Sequence, residues 1–370
     1  MQAVILVGGQ GTRLRPLTLT VPKPMLPLMN RPFLEFQVQL CLRHGISDII
    51  MSTAYLPEVF EEHFGDGSGL GAKMTYVTED EPLDTCGAVK NVEEYIKGPF
   101  LVFNGDILTD LDLTNLIAYH REKGSKATIS LTRVEDPTAY GLVPLDRSGR
   151  INEFLEKPSW EQVVTDLINA GTYVMEPELL DRVPRGERYS FERQLFPQLL
   201  EDGVPMYGFA TDAYWMDIGT PAKYLQAHYD ILGRMIPFDF AGDEIKPSVW
   251  AEEGAEISPE ASVFGPTIIG SGCRIAPHAI VSSRCVLGPD CELGEGVHAE
   301  GVVMHSGCKV GEESVLSRCV ISSDVEIEEK VHVADQSVLG GRVVVEREND
   351  LKCGIRVWPE AHIPPSTLHF

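Results

Sequence analysis

No apolar run in the 370-residue chain approaches the ~18 residues that a membrane-spanning helix needs, so no membrane partner is expected. Positive charge is scarce as well: 31 Lys and Arg stand against 55 Asp and Glu, a formal charge of −24. Such a surface repels a phosphodiester backbone, which argues against nucleic acid as a partner. The eight cysteines form no CxxC pair, the usual mark of a metal site, and a chain of this length needs no disulfide framework. The N-terminus enters a strand at once, and these features together lead us to expect a cytoplasmic enzyme. Hydrophobic and charged contents of 43% and 23% are ordinary for a globular protein with room for two cores.

Against this background the few basic residues near the N-terminus stand out. Residues 8–24 read G-G-Q-G-T-R-L-R-P-L-T-L-T-V-P-K-P, directly after the apolar run at 3–7. A β-rich run ending in glycines is how α/β folds bring backbone N–H groups against phosphate oxygens. Arg13, Arg15 and Lys23 add positive charge at two depths, which can stabilise charge that moves during a reaction. No G-K-[ST] follows the glycines, so this is not a Walker loop.

Two periodicities divide the chain. Up to about residue 235, β-rich runs at 3–7, 48–52, 74–77, 100–103 and 128–131 alternate with helical patterns at 33–44, 58–64, 89–96 and 113–123. That alternation predicts a mostly parallel, doubly wound α/β sheet with ligands at the carboxyl ends of its strands. The glycine loop occupies one such end and Asn104-Gly105-Asp106 another. Past a Pro-containing connection the apolar residues recur every six positions: Ile257, Val263, Ile269, Ile275, Val281, Leu287 and Leu293. After a break the register resumes at Val315, Ile321, Ile327, Val333, Leu339 and Val345. This is the hexapeptide pattern of a parallel β-helix. Cys273, Cys285, Cys291 and Cys319 fall four residues after a repeat position, as Cys308 does after Met304, in a slot that suits a small buried hydrophobe. The expected organisation is a catalytic domain at 1–235, a linker at 236–250 and a β-helix at 251–370. Coil ends and faces make the β-helix an expected platform for homo-oligomer assembly or regulation.

The G-G-x-G-T-R-L-R-P-L-T signature with P-K-P downstream resembles that of the sugar-1-phosphate nucleotidyltransferases. The fused β-helix, which the resemblance makes left-handed, is similar to the layout of the GDP-mannose pyrophosphorylase branch. The resemblance implies displacement at the α-phosphorus of a nucleoside triphosphate by a sugar 1-phosphate, with pyrophosphate leaving. It further implies that the backbone of Gly8, Gly9, Gly11 and Thr12, with Arg13, holds the triphosphate, and that Lys23 reaches the reacting phosphates. Asp106 in F-N-G-D and Asp217 in W-M-D-I-G-T-P match the family's paired carboxylates for Mg²⁺. Asp110 and Asp112 are expected instead to open the following helix. Glu156 and Lys157 in F-L-E-K-P resemble the element that binds sugar hydroxyls and the sugar phosphate, and Gly141 and Asn169 resemble further sugar contacts. Base recognition falls on residues 79–88, E-D-E-P-L-D-T-C-G-A, with Glu81 and Gly87 as candidates. That segment departs from the family's L-G-T-A-G at Asp84 and Cys86. Carboxylates there suit guanine's N1–H and N2–H₂, although Asp84 has the alternative role of capping a helix that starts near Gly87.

Three other readings stay open. The same chemistry could act on a cyclitol (valienol-type) 1-phosphate, or on glucose 1-phosphate with dTTP or UTP. Hexapeptide β-helices also host acetyl-CoA-dependent acyltransferases, for which His278, His298 and His305 are candidate bases. A non-catalytic homologue is disfavoured because Arg13, Lys23, Asp106, Lys157 and Asp217 all stand.

Overall fold

The structure, a computed structural model, describes residues 1–368. The last two residues of the expected β-helix domain lie outside them. By compactness the chain divides into two units, Met1–Gln10 with Leu34–Asp217, and Gly11–Phe33 with Ile218–Phe370.

The first unit is built on one sheet. Its parallel half runs Lys73–Thr78, Asp48–Thr53, Gln2–Leu6 and Phe100–Asn104 in spatial order. Ala3, Val4, Ile5, Ile49, Ile50 and Met51 are fully buried, as expected of unalternating apolar strands covered on both faces. Leu167–Met175 then joins antiparallel to Phe100–Asn104, and Ala127–Arg133 and Met206–Ala210 extend the sheet beyond it. Helices fill the connections at Phe33–Arg43, Pro57–Phe64, Asp84–Asn91 and Leu113–Lys123. Asp112 caps the last of these by accepting the N–H of Asn115, in line with the sequence expectation. Two local expectations need correction. The helix expected at 89–96 instead spans Asp84–Asn91 and gives way to a 3-10 turn at Glu93–Tyr95. Asp84 therefore stands at the helix start, three positions before Gly87, and its carboxylate accepts the N–H of Thr85.

The second unit contains the β-helix, whose coils stack into three parallel sheets. Ile257, Ile275, Leu293, Val310, Ile327, Val345 and Ile363 form one stacked column, each paired with the next. From Leu293 to Val310 and from Val310 to Ile327 the coils are one residue shorter than the eighteen of the others. The expected restart at Val315 is corrected accordingly. Leu316 is the inward residue, stacked on Ala299 and fully buried, while Val315 is half-exposed. Strand side chains alternate in direction, so a one-residue deletion moves its neighbour into the core. The interior is apolar from Val249 to Val357, with the repeat-slot cysteines inside it. Their thiols reach carbonyls of the next coil, as from Cys273 to Gly288 and from Cys291 to His305, both at 3.0 Å. All eight cysteines are free thiols.

The same unit carries residues 11–33 and the helix Pro221–Leu232. Tyr224 of that helix donates to the carbonyl of Pro27 and lies 3.0 Å from His305 Nε2 of the β-helix. Asn30 donates to the Leu287 carbonyl at 2.9 Å, and Tyr229 to that of Gly301 at 2.6 Å. Among the described residues no helix is long and apolar enough to cross a membrane.

Candidate active site

In the first unit backbone pairing brings together the segments that carry the two expected metal carboxylates. Ile107–Thr109 and Trp215–Asp217 form a short antiparallel ladder in which Asp217 faces Ile107, the neighbour of Asp106. The turn before this ladder is fixed from two sides. Gln37, buried on the first helix, donates from Nε2 to the carbonyls of both Asn104 and Ile107 at 2.9 Å. Gly105 donates its N–H to Leu6 at 2.9 Å, and a Cβ there would lie 2.3 Å from that same carbonyl. Only glycine lets the Asp106 turn dock on the first strand. Asp110 does not open the following helix as expected. Its Oδ1 accepts the N–H of Tyr214 at 2.8 Å and ties the 213–217 segment to the same corner. Among the described residues no group of three or more His, Cys, Asp or Glu could hold a metal, so an ion here would rest on this pair.

The expected sugar-side residues form a second cluster in this unit. Glu156 pairs with Gly141 across a two-residue ladder, and a Cβ on Gly141 would strike Phe154 at 2.7 Å and Glu156 Oε2 at 3.1 Å. Burial, then the neighbouring Glu192, raises the Glu156 carboxyl above its usual range, while Lys157 opposes the shift. Lys157 is exposed and has φ +50, a conformation seldom kept by a non-glycine residue without reason. Its N–H donates to Tyr140 at 3.0 Å. Asn169 donates to the Tyr173 hydroxyl at 2.8 Å and accepts the N–H of Gly171, while Tyr173 donates to Glu192. Trp215 bridges the two clusters, donating to the Ala170 carbonyl at 2.9 Å and packing edge-on against Tyr140.

At the expected base segment the structure separates its acids. Glu81 and Asp84 are exposed. Glu79 is buried, accepts from Ser52 and from the Leu83 N–H, and is raised in pKa chiefly by burial. It also lies 3.4 Å from where a Cβ on Gly8 would sit. Gly87 is committed to packing. Its N–H donates to Tyr189 at 2.8 Å, and a Cβ would meet the Glu187 carbonyl at 2.6 Å. Burial pushes the Cys86 thiol upward, so it is held protonated and unreactive. Gly9 has open space around its Cα, as a backbone approached by a ligand requires.

Gly11, Thr12, Arg13 and Lys23 belong to the second unit, the division passing between Gln10 and Gly11. Gly11 takes φ +59 before a 3-10 turn at Thr12–Leu14, and Thr18 Oγ1 donates to its carbonyl. Thr12 and Arg13 are exposed on that turn, whereas Lys23 is buried under it, its Cβ 3.0 Å from where a Cβ on Gly11 would sit. The candidate acyltransfer bases have other surroundings. His278 pairs with Glu260 at 3.3 Å and His298 lies by Ser282, both exposed, while His305 is buried against Tyr224.

Sequence reasoning missed Gln37, Glu79 and Glu192, which brace the two clusters and the segment between them. Only Glu79 lay within a segment already singled out. Chemically, the first unit offers two hard oxygen ligands at one strand end and a carboxylate–lysine pair at another. The second offers a cationic loop.

The Nucleotidyl transferase family model matches residues 2–234, and the model described as the LbH domain of the EIF2B epsilon subunit matches residues 246–351. The mannose-1-phosphate guanylyltransferase of Mycobacterium tuberculosis is 41% identical over 84% of this chain and 83% of its own length. A UTP–glucose-1-phosphate uridylyltransferase of Synechocystis is 35% identical over 84% of each. Among solved structures, HddC from Yersinia pseudotuberculosis, complexed with GMP-PN, is 32% identical with a TM-score of 0.54, covering 62% of this chain and 99% of HddC.

Proposed function

The chain belongs to the nucleotidyl transferase family as a sugar-1-phosphate nucleotidyltransferase, and from that premise we propose that it joins GTP to mannose 1-phosphate, giving GDP-mannose and pyrophosphate. The observation that carries this substrate pair is the 41% identity to the mycobacterial guanylyltransferase over 84% of this chain, more than either family model matches alone. HddC, crystallised with GMP-PN, supports the choice of guanine.

A phosphate oxygen of mannose 1-phosphate bonds to the α-phosphorus of GTP as the bond to the β-phosphate bridge breaks. The attacking oxygen is already anionic, so no general base is needed. The barrier is the approach of two anions, and the protein's work is positioning and charge neutralisation. Lys157 holds the sugar phosphate and Glu156, with Asn169, orients the sugar. Arg13 and Lys23 take the charge that develops on the leaving pyrophosphate. Gly8, Gly9, Gly11 and Thr12 supply backbone donors to the triphosphate, and Glu81 faces the base. Asp106 and Asp217 suit Mg²⁺, which accepts one or two protein carboxylates and completes its shell from water and phosphate. When bound, the ion supplies Lewis-acid neutralisation of the phosphates.

We take residues 1–235 as the catalytic module and the residues from 236 as a linker that ends short of the expected residue 250, because Val249–Ala251 already pairs into the β-helix, which we take as the platform of a homo-oligomer. Eight free thiols and a nucleotide substrate suit the cytoplasm. The Synechocystis relative favours a second reading, UTP with glucose 1-phosphate. A pyrophosphate-release screen of GTP, UTP, dTTP, CTP and ATP against mannose, glucose and valienol 1-phosphates tests both. Highest kcat/KM for GTP with mannose 1-phosphate supports the first. Preference for UTP with glucose 1-phosphate replaces it with the second.

A further inference from the structure

Arg356 lies on Arg356–Val357, the strand that ends one of the three sheets of the β-helix, where it pairs with Val338. Its side chain leaves the coil stack and reaches the signature loop of the same unit. Nη1 donates to the carbonyl of Arg13 at 3.3 Å and to that of Arg15 at 3.2 Å. We propose that Arg356 is a positioning residue for nucleotide binding, acting through the backbone of the loop that carries Arg13.

The physical argument starts from the turn itself. The N–H groups of Leu14 and Arg15 are used inside it, on the carbonyls of Gly11 and Thr12. The carbonyls of Arg13 and Arg15 lie outside those bonds, and both converge on one guanidinium nitrogen. Fixing the Arg13 carbonyl fixes ψ at that residue and with it the direction in which the Arg13 side chain leaves the backbone. The second bond fixes the peptide after Arg15, which sits at φ −55 and ψ 139. The two carbonyl dipoles are thereby aimed at a cation, and a phosphate-binding loop gains by keeping carbonyl oxygens turned away from its anion. Arg356 also adds a positive charge beside the loop in a chain of net charge −24. The loop is also tied to the same unit through Asn30 on Leu287 and Tyr224 on Pro27.

The inference rests on reading this loop as the triphosphate site, and the test separates the two. Steady-state kinetics with GTP and mannose 1-phosphate are compared for the full-length wild type, Arg356→Ala, Arg356→Lys and Arg13→Ala, with thermal unfolding alongside. Arg356 is exposed, so its removal should leave the unfolding temperature unchanged. Arg356→Ala should raise the KM for nucleotide about five- to tenfold, as for a charged hydrogen bond lost at a partly solvated site. The KM for sugar phosphate should stay within about twofold, since that site lies elsewhere. Arg356→Lys, which keeps the charge, should recover part of the loss. An unmoved nucleotide KM in Arg356→Ala, with a raised one in Arg13→Ala, overturns the inference and leaves the reading of the loop standing. Unmoved values in both overturn both. Equal rises in the two KM values, or no recovery in Arg356→Lys, also overturn it.

Discussion

The two units hold their interiors by different means. In the sheet unit, polar side chains are buried at the strand ends and matched one by one: Gln37 with two carbonyls, Glu79 with Ser52 and Leu83, Tyr173 with Asn169 and Glu192. The β-helix interior is mainly a column of Val, Ile, Leu and Cys, repeated coil after coil, with a few buried polar side chains such as Ser314, Ser337 and Asn349, each bonded to a backbone carbonyl, and His305 at its margin. Unique polar braces allow chemistry to be placed within a fraction of an ångström. Repetition gives a stiff body whose stability depends on each coil covering the next. A change at a strand end of the sheet should therefore damage catalysis while sparing the fold. A change beneath the β-helix surface should do the reverse.

The largest effect tests the first half of that contrast. Asp106→Asn and Asp217→Asn should each lower kcat by about three orders of magnitude, on the order of 4 kcal/mol of transition-state stabilisation. Both keep the shape of the ladder, so circular dichroism and the unfolding midpoint should match wild type. Near-normal turnover in either variant would remove that residue from the metal site.

The second half of the contrast is tested by pH. Burial holds His305 at about 4 and His228 at about 3, with the charge of His305 adding to the shift on His228. The unfolded chain takes up these protons near 6.5, so in between it binds more protons than the folded state. Stability is then complete above pH 6.5 and falls as pH drops towards 4, by on the order of 3 kcal/mol for His305. Urea unfolding at pH 7, 5.5 and 4.5 should show that decline, and His305→Gln should remove about half of it, with His228 keeping the rest. A variant that parallels wild type at every pH would show that another group sets the acid limit.

Much of this arrangement is legible in the amino-acid sequence. The apolar strands and their spacing gave the sheet, and the six-residue period gave the β-helix. The helix at Leu113–Lys123 was readable to the residue because Asp112 caps it and Gly124 follows it. The short coils were not legible, because either Val315 or Leu316 satisfies an apolar slot and only stacking on Ala299 decides between them. Gln37, Glu79 and Glu192 escaped notice for a related reason. Each acts on groups far from it in sequence, such as Gln37 on Asn104 and Glu192 on Thr85, and no local pattern announces such a partner.

A smaller effect is expected where the sheet unit offers a cation to solvent. Lys157 is exposed, yet its backbone is held at φ +50 beside Glu156. Lys157→Ala should raise the KM for sugar phosphate about tenfold or more and that for nucleotide little, as for the loss of one charged hydrogen bond. Equal changes in both would assign Lys157 a structural role. Lys157→Gly is a useful companion. It relieves the left-handed strain while removing the charge, so an equal loss of binding in the two variants would isolate the ammonium as the cause.

The smallest effect should come from the base segment, where the sheet's usual device of burial is missing. Glu79 is the buried acid there and braces the Leu83 turn, whereas Glu81 stands in solvent and makes no packing contribution to the fold. A carboxylate at the rim of a site can still accept from guanine N1–H and N2–H₂ and repel pyrimidine carbonyls, but water competes for both. Glu81→Ala should therefore lower the ratio of kcat/KM for GTP to that for UTP by only about fivefold, well short of what a fully desolvated polar pocket achieves. Turnover at saturating GTP should hold, since the carboxylate pair and the phosphate loop are untouched. Glu79→Gln sharpens the comparison, because it keeps the shape of the brace but weakens its hold on the Leu83 N–H. If selectivity falls more in Glu79→Gln than in Glu81→Ala, base choice depends on the buried brace and the geometry of its turn. If it falls in neither, guanine is recognised outside residues 79–88.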